Sequence, residues 1–382
     1  MFLSGQQRYI LRRERSGGTL FDRQTGTIER IGEGNYILLE RAHNLGTGAS
    51  GVRRFVSESF ADERNAGAFL ADCVRKGILN EEKGSSLQII MPPLPAERLP
   101  LECSSAPNRV YWQIIGSNQP GEQDQASGIS LEKGRALLKK IADAGTFGLW
   151  IFGEEPTEHP FFPALVVAAK ENGLFVTLET HASFDEAMRN KMLDSLVDRF
   201  AVIVAGGAAT HNAMFGEGSY QKMVGFISRL AQRAEKVVTL IMPLGKSNLD
   251  KLEDAIGMAK AVRGRELLVI PAGGDEKIPF AKFAQRVGEA AGLAEGLDIA
   301  ITTPCDIVKS KGWDISGCPA GVSEAFLDQD GMLRACRYCD AESEPMGNLM
   351  DLGYLTLWLD SGRFAAYRTT SPGCIGKGKL FV

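Results

Sequence analysis

Between residues 109 and 304 the chain alternates apolar runs with amphipathic stretches, and this order restricts the fold more than any other feature of the sequence. The apolar runs fall at 110–115, 149–153, 174–179, 200–205, 237–242, 267–272 and 298–303, and most are near-continuous in Val, Ile, Leu and Phe. Strands with one solvated face alternate apolar and polar residues, whereas strands covered on both faces do not. Helical periodicity at 131–145, 161–172, 184–197, 220–234, 249–263 and 280–293 separates the runs. Strand and helix in turn give parallel βα units, so the pattern predicts an α/β protein built on a complete or partial (β/α) barrel over 109–304.

The flanks read differently. Residues 8–40 give short strands at RYILRRE, GGTLFD and TIERI, and helical patterns follow at 52–59 and 62–76 with Gly77 in a helix-stop position. This predicts a small winged-helix-like domain over 1–84. Pro92, Pro93, Pro95, Pro100 and Pro107 mark 85–108 as a stiff linker that cannot continue a helix and would hold the first domain apart. Residues 305–382 combine short strands, turns and cysteines, as in a small α+β domain organised by a metal.

A net charge of −4 without a long Lys/Arg block argues against nucleic acid or a membrane surface as partner. The first residues lack an apolar signal core, and no uncharged run approaches the ~18 residues of a membrane span. The expected location is therefore cytoplasmic. Seven cysteines, an odd number unevenly spaced, do not read as a disulfide framework. Cys73 and Cys305 fit buried, inert thiols, and Cys103 receives no role.

Four of the seven lie near the end as Cys318-x12-Gly331-x4-Cys336-x2-Cys339, followed by Cys374. Four thiolates suit one iron–sulfur cluster, 4Fe–4S before 2Fe–2S, while a structural zinc would satisfy the same spacing and free thiols are the plain alternative. Asp124, Glu154, Glu155, His159, His181 and His211 all follow strands at the C-terminal mouth of the predicted barrel. They are the candidates for a mononuclear metal or for acid–base chemistry there.

From residue 109 to the end the chain resembles the radical S-adenosylmethionine (radical SAM) family with a twitch or SPASM extension. The resemblance rests on Trp112-Gln113-Ile114, Gly153-Glu154-Glu155-Pro156, His211-Asn212, Gly216-Glu217-Gly218-Ser219-Tyr220, Gly347-Asn348-Leu349, Leu357-Trp358 and the C-terminal cysteine spacing. It implies a barrel of radical SAM type and one twitch-like cluster on Cys318, Cys336, Cys339 and Cys374. The N-terminal residues are similar to the peptide-recognition domain related to the pyrroloquinoline quinone peptide chaperone. Such a domain would pair a leader peptide with a strand edge, here near Gly18–Arg23; a cap without a ligand is the alternative.

The family's Cys-x3-Cys-x2-Cys motif is missing. Ser117, Gly121 and Asp124 occupy its positions, and none is a good ligand for soft iron–sulfur iron. Where members carry Gly-Gly-Glu-Pro, Glu154 replaces the second Gly, so Gly153 and Glu155 mark a degenerate SAM site expected to be empty of SAM. No catalytic residue is assigned. The expected function is that of a pseudoenzyme, an accessory in peptide modification or cofactor maturation. Its expected partner is a ribosomal precursor peptide or a catalytic radical SAM protein, with a homodimer left open. The alternative is an active enzyme, either with unusual cluster ligands or with a metal at the barrel mouth.

Overall fold

The computed structural model describes residues 6–59, 63–91, 99, 103–115, 129–262, 266–295, 297, 299–304, 319–337, 345–360, 364, 367–368 and 381. Ser117, Gly121, Asp124, Cys305, Cys318, Cys339 and Cys374 lie outside them.

The first unit is built from β1 (Tyr9–Glu14), β2 (Gly17–Asp22), β3 (Thr27–Ile31), α1 (Glu33–Asn44), α2 (Ala49–Ser59), α3 (Glu63–Arg75) and β4 (Leu87–Ile90). Its sheet runs β3-β2-β1-β4, with antiparallel pairs among the first three strands and β4 parallel to β1. The strand-then-helix order is as expected, and Gly77 does end the helical region with φ +73°, a left-handed conformation glycine adopts without strain. Two elements were not anticipated. In α1, Gly32 and Gly34 obscure the start of a helix whose inward residues Tyr36, Leu39 and Ala42 nonetheless recur every three positions. The segment read as linker contributes β4, because Leu87–Ile90 precedes the first proline and can still donate to a ladder.

The second sheet holds β5 (Arg109–Gln113), β6 (Gly148–Phe152), β7 (Phe175–Thr180), β8 (Arg199–Ile203), β9 (Val237–Leu244), β10 (Glu266–Pro271) and β11 (Ala300–Thr302) in parallel. Its crossovers carry α4 (Leu131–Asp143), α5 (Phe162–Glu171), α6 (Glu186–Leu193), α7 (Ala208–Phe215), α8 (Ser219–Leu230), α9 (Leu252–Ala261) and α10 (Phe280–Glu295). Only α7 among these helices was missed, and its sole buried side chain, His211, leaves little amphipathic signal to find. Then β12 (Glu324–Leu327) joins parallel to β5, and β13 (Met332–Arg334) and β14 (Gly347–Asn348) extend the edge antiparallel, before α11 (Tyr354–Asp360). The order β11-β10-β9-β8-β7-β6-β5-β12-β13-β14 leaves β11 and β12 unpaired with each other, so the barrel is partial. At the turn into β13, Gly331 (φ +82°) and an Asp328 carboxylate accepting from the Asp330 and Met332 amides close the hairpin.

The first unit is not held apart from the barrel. Arg12, fully buried, donates from Nε to Glu14 (2.8 Å), from Nη1 to the Gly145 carbonyl (2.8 Å) and from Nη2 to Asn108 (2.6 Å). Glu14 in turn accepts from Thr19 Oγ1 (2.8 Å) and the Ser105 amide (2.6 Å). Phe21 stacks on Phe147 at 5.0 Å and meets Phe175 edge-on at 6.0 Å. These contacts dock the first unit on the barrel, with Ser105 and Asn108 at the end of the expected linker taking part. The Gly18–Arg23 edge is also unavailable, since β2 is paired on both sides and the sheet ends at β3 and β4.

Removing Arg12 strands Glu14 in the interface. We expect Arg12→Ala to cost about 3–5 kcal/mol in urea denaturation, against about 0.5 kcal/mol for the exposed ion pair broken by Lys139→Ala.

Candidate functional site

At the end of β6, Gly153 has φ +149°, and a Cβ there would lie 2.7 Å from the Ile115 carbonyl oxygen, so only glycine fits. Glu154 beside it is exposed. Glu155 turns inward, 4% exposed, and caps a single 3₁₀ turn at Pro156–Glu158. Its Oε1 accepts from Thr157 Oγ1 (2.8 Å) and the Thr157 amide (3.3 Å). Its Oε2 accepts from Thr180 Oγ1 (2.7 Å) and the His181 amide (3.3 Å), with His181 Nε2 also at 3.3 Å. Both carboxylate oxygens are thus committed to the protein, tying the β6 loop to the end of β7.

That strand end is locally strained. Ala182 takes φ +54°, unusual for a residue with a Cβ, and its amide donates to Thr180 Oγ1 at 2.9 Å. His181 lies over Phe215 (5.4 Å, 24° between planes), and Phe215 also contacts His211 at 4.8 Å. His211 Nδ1 accepts from the Ala205 amide at 3.4 Å, while its Nε2 is buried without a hydrogen-bond partner. Burial first, and then the neighbouring His181, push the His211 pKa down to about 4, so the ring is neutral near pH 7. His159 accepts from the Phe161 amide through Nδ1 (3.2 Å), and burial lowers its pKa as well.

The structure therefore brings Glu155, His181 and His211 together at the mouth, with His159 one turn away and Glu154 facing solvent. Among the described residues, no three His, Cys, Asp or Glu side chains converge as a metal set. With Thr157, Thr180 and His181 already donating to both of its oxygens, the Glu155 carboxylate does not fit as a free acceptor for a cofactor. Of the four expected cluster ligands the structure describes Cys336, half-buried just after β13 in the wall of a cavity inside the barrel. A half-buried thiol following a tight hairpin fits a cluster ligand. Cys318 directly precedes Pro319, which lines the same cavity. Cys73 fits the inert role expected of it, buried with its thiol pushed up to about 12.

Sequence reasoning missed the interior of the barrel. Arg337, next to Cys336, reaches in to make a bidentate pair with Glu179 (2.8 and 3.0 Å), and Glu179 also accepts from Trp150 Nε1 at 2.8 Å. The Arg337 guanidinium lies over Phe152 at 4.4 Å and Tyr111 at 5.4 Å. The available signal was a charged residue at the head of several apolar runs, Arg109, Arg199, Glu266 and Glu324, which in isolation reads as an ordinary solvated strand end.

No family model matches this sequence, and no curated protein does. Solved structures do match. Streptococcus suis SuiB bound to S-adenosylmethionine superimposes with a TM-score of 0.65 at 12% identity, covering 96% of this chain and 90% of that one. SuiB bound to precursor peptide SuiA gives 0.67 at 11%, covering 98% of each. The anSMEcpe structure with bound AdoMet gives 0.54 at 12%, covering 69% of this chain and 82% of that one. The chain has the radical SAM fold. The SuiB likeness spans all three segments, the flanking units included.

Two outcomes follow from the site. Thr180→Val removes one of the donors to a buried carboxylate and should cost about 1–3 kcal/mol by urea denaturation. His211 is neutral in the folded state and protonates when released, so between pH 6.5 and about 4 the unfolded chain binds more protons and stability falls as pH drops. His211→Gln should flatten that fall, read as the urea midpoint at pH 7 against pH 5.

Proposed function

We propose that this protein is a radical SAM-fold pseudoenzyme: it does not cleave SAM, it carries one auxiliary iron–sulfur cluster, and it serves a peptide-modifying system as a peptide- or partner-binding accessory. The observation that carries the reading is the Glu155 carboxylate, whose two oxygens are held by Thr157, Thr180 and His181 at the place where the fold would receive the cofactor. Glu154 in place of glycine and Ser117, Gly121 and Asp124 in place of three cysteines support it.

The cluster would be held by Cys318, Cys336, Cys339 and Cys374 and would supply folding energy or a one-electron relay to the C-terminal unit. Arg337, adjacent to one of these ligands, would couple that unit to the barrel interior through Glu179. The likeness to a SuiB structure containing a precursor peptide supports a peptide as the partner. The docking edge in this reading is β3, which is mostly exposed and whose outer side lacks a strand partner among the described residues. Lys76, just beyond α3, reaches Glu29 of β3 at 3.1 Å and so sets a helix beside that edge.

Anaerobically purified protein should contain about four iron atoms per chain and, with SAM and dithionite, produce no 5′-deoxyadenosine above a no-protein control. About eight iron atoms or detectable 5′-deoxyadenosine would establish the active enzyme instead. Cys318→Ala and Cys336→Ala should each remove the iron and its visible absorbance, while Cys73→Ala leaves both unchanged. Absorbance surviving the first two substitutions would refute the ligand set.

A further inference from the structure

A cavity of about 410 Å3 lies inside the barrel, away from the Glu155 cluster. Arg109, Arg199 and Glu266 in its wall are the first residues of β5, β8 and β10, which puts it at the N-terminal end of the strands, opposite the mouth. Thr303 and Pro304 after β11, and Pro319 and Ala320 before β12, also line it, so it faces the seam where the barrel stays open. Its volume is near the lower end of small-molecule sites, ~300–1,000 Å3.

The charges around this space are incompletely matched. Arg109 is partly answered, with Nη1 at 3.4 Å from Glu324 and 3.3 Å from Tyr111 Oη. Arg199 donates from Nη2 to the Thr25 carbonyl (2.7 Å) and its guanidinium lies over Phe175 at 5.5 Å, but its Nε is buried without an acceptor and, among the described residues, no carboxylate makes an ion pair with it. Glu266 receives one hydroxyl on each oxygen, from Thr239 (3.1 Å) and Thr302 (3.3 Å), and among the described residues no cation reaches ion-pair distance. Arg199 and Glu266 line the same cavity and make no ion pair with each other. A half-buried cation and a half-buried anion in the wall of one cavity, neither with an ion-pair partner among the described residues, suit a ligand that carries both charges. A simple carboxylate would answer only Arg199, and an amine only Glu266.

We propose that this cavity binds a small α-amino-acid zwitterion, its carboxylate on Arg199 and its ammonium on Glu266, with its side chain against Trp150 and Leu268. Cys336 lines the same cavity, but the two charges that would hold the zwitterion are not among the proposed cluster ligands.

The test is calorimetric titration of the full chain with each of the twenty L-amino acids in turn, followed by the N-acetyl and carboxamide forms of the tightest binder. At least one amino acid should bind with a Kd below about 1 mM, and each blocked form, lacking one charge, should bind at least tenfold more weakly. Because this arm uses only the unaltered protein, variant folding cannot confuse it. Arg199→Lys and Glu266→Gln, with folding checked by circular dichroism, should each weaken binding about tenfold. Hydrogen exchange on the unaltered protein should slow in peptides covering 199–203 and 266–271 when the amino acid is present. The proposal is overturned if none of the twenty gives saturable heat at about 5 mM, if blocked forms bind as well as the parent, or if protection falls elsewhere.

Discussion

A parallel sheet that curls without closing leaves an inner face that its own side chains must fill, and the rest of this structure follows from how that face is filled. Helices cover the outside, as the βα order demands. Inside, Trp150, Ala201 and Ile241 form a small apolar cluster with Tyr111 and Phe152 packed against it. The buried pair of Glu179 and Arg337 sits in the same interior. A buried ion pair gives little net stability against an apolar replacement, but it fixes partners, because leaving either charge alone is expensive. Arg337 comes from the C-terminal unit, so this pair sets the register between that unit and the barrel and places Cys336 at the inner wall.

The same logic applies at the other end of the chain. Arg12 and Glu14 lie on β1 of the first unit, yet partners that satisfy them, Ser105, Asn108 and Gly145, lie beyond that unit, just before β5 and just before β6. Phe21, Phe147 and Phe175 supply the apolar part of that interface. A unit docked this way moves with the barrel and presents β3 in a fixed direction.

At the mouth, the Glu155 carboxylate holds two loops together. Glu155 is legible in the sequence as a candidate, since its Gly-Glu-Glu-Pro context singles it out. Its hydrogen bonds to Thr180 and His181 are not legible, because they join residues 25 and 26 positions apart that only the β6–β7 pairing brings side by side. The histidines were likewise visible as mouth residues. Their stacking on Phe215 depends on α7, a helix too weakly patterned to read.

The sequence by itself determined the strand and helix order of the barrel, the radical SAM resemblance and the missing cysteine motif. These are local properties: apolar runs, helical periodicity and the chemistry of single residues at fixed spacing. Only the tertiary structure decided that the first unit docks on the barrel, that β2 is an interior strand, and that charged residues heading four strands turn into one cavity. Those outcomes depend on long-range pairing, on which side of a pleat a residue falls, and on where a buried charge finds its partner. None of these is encoded in a window of neighbouring residues.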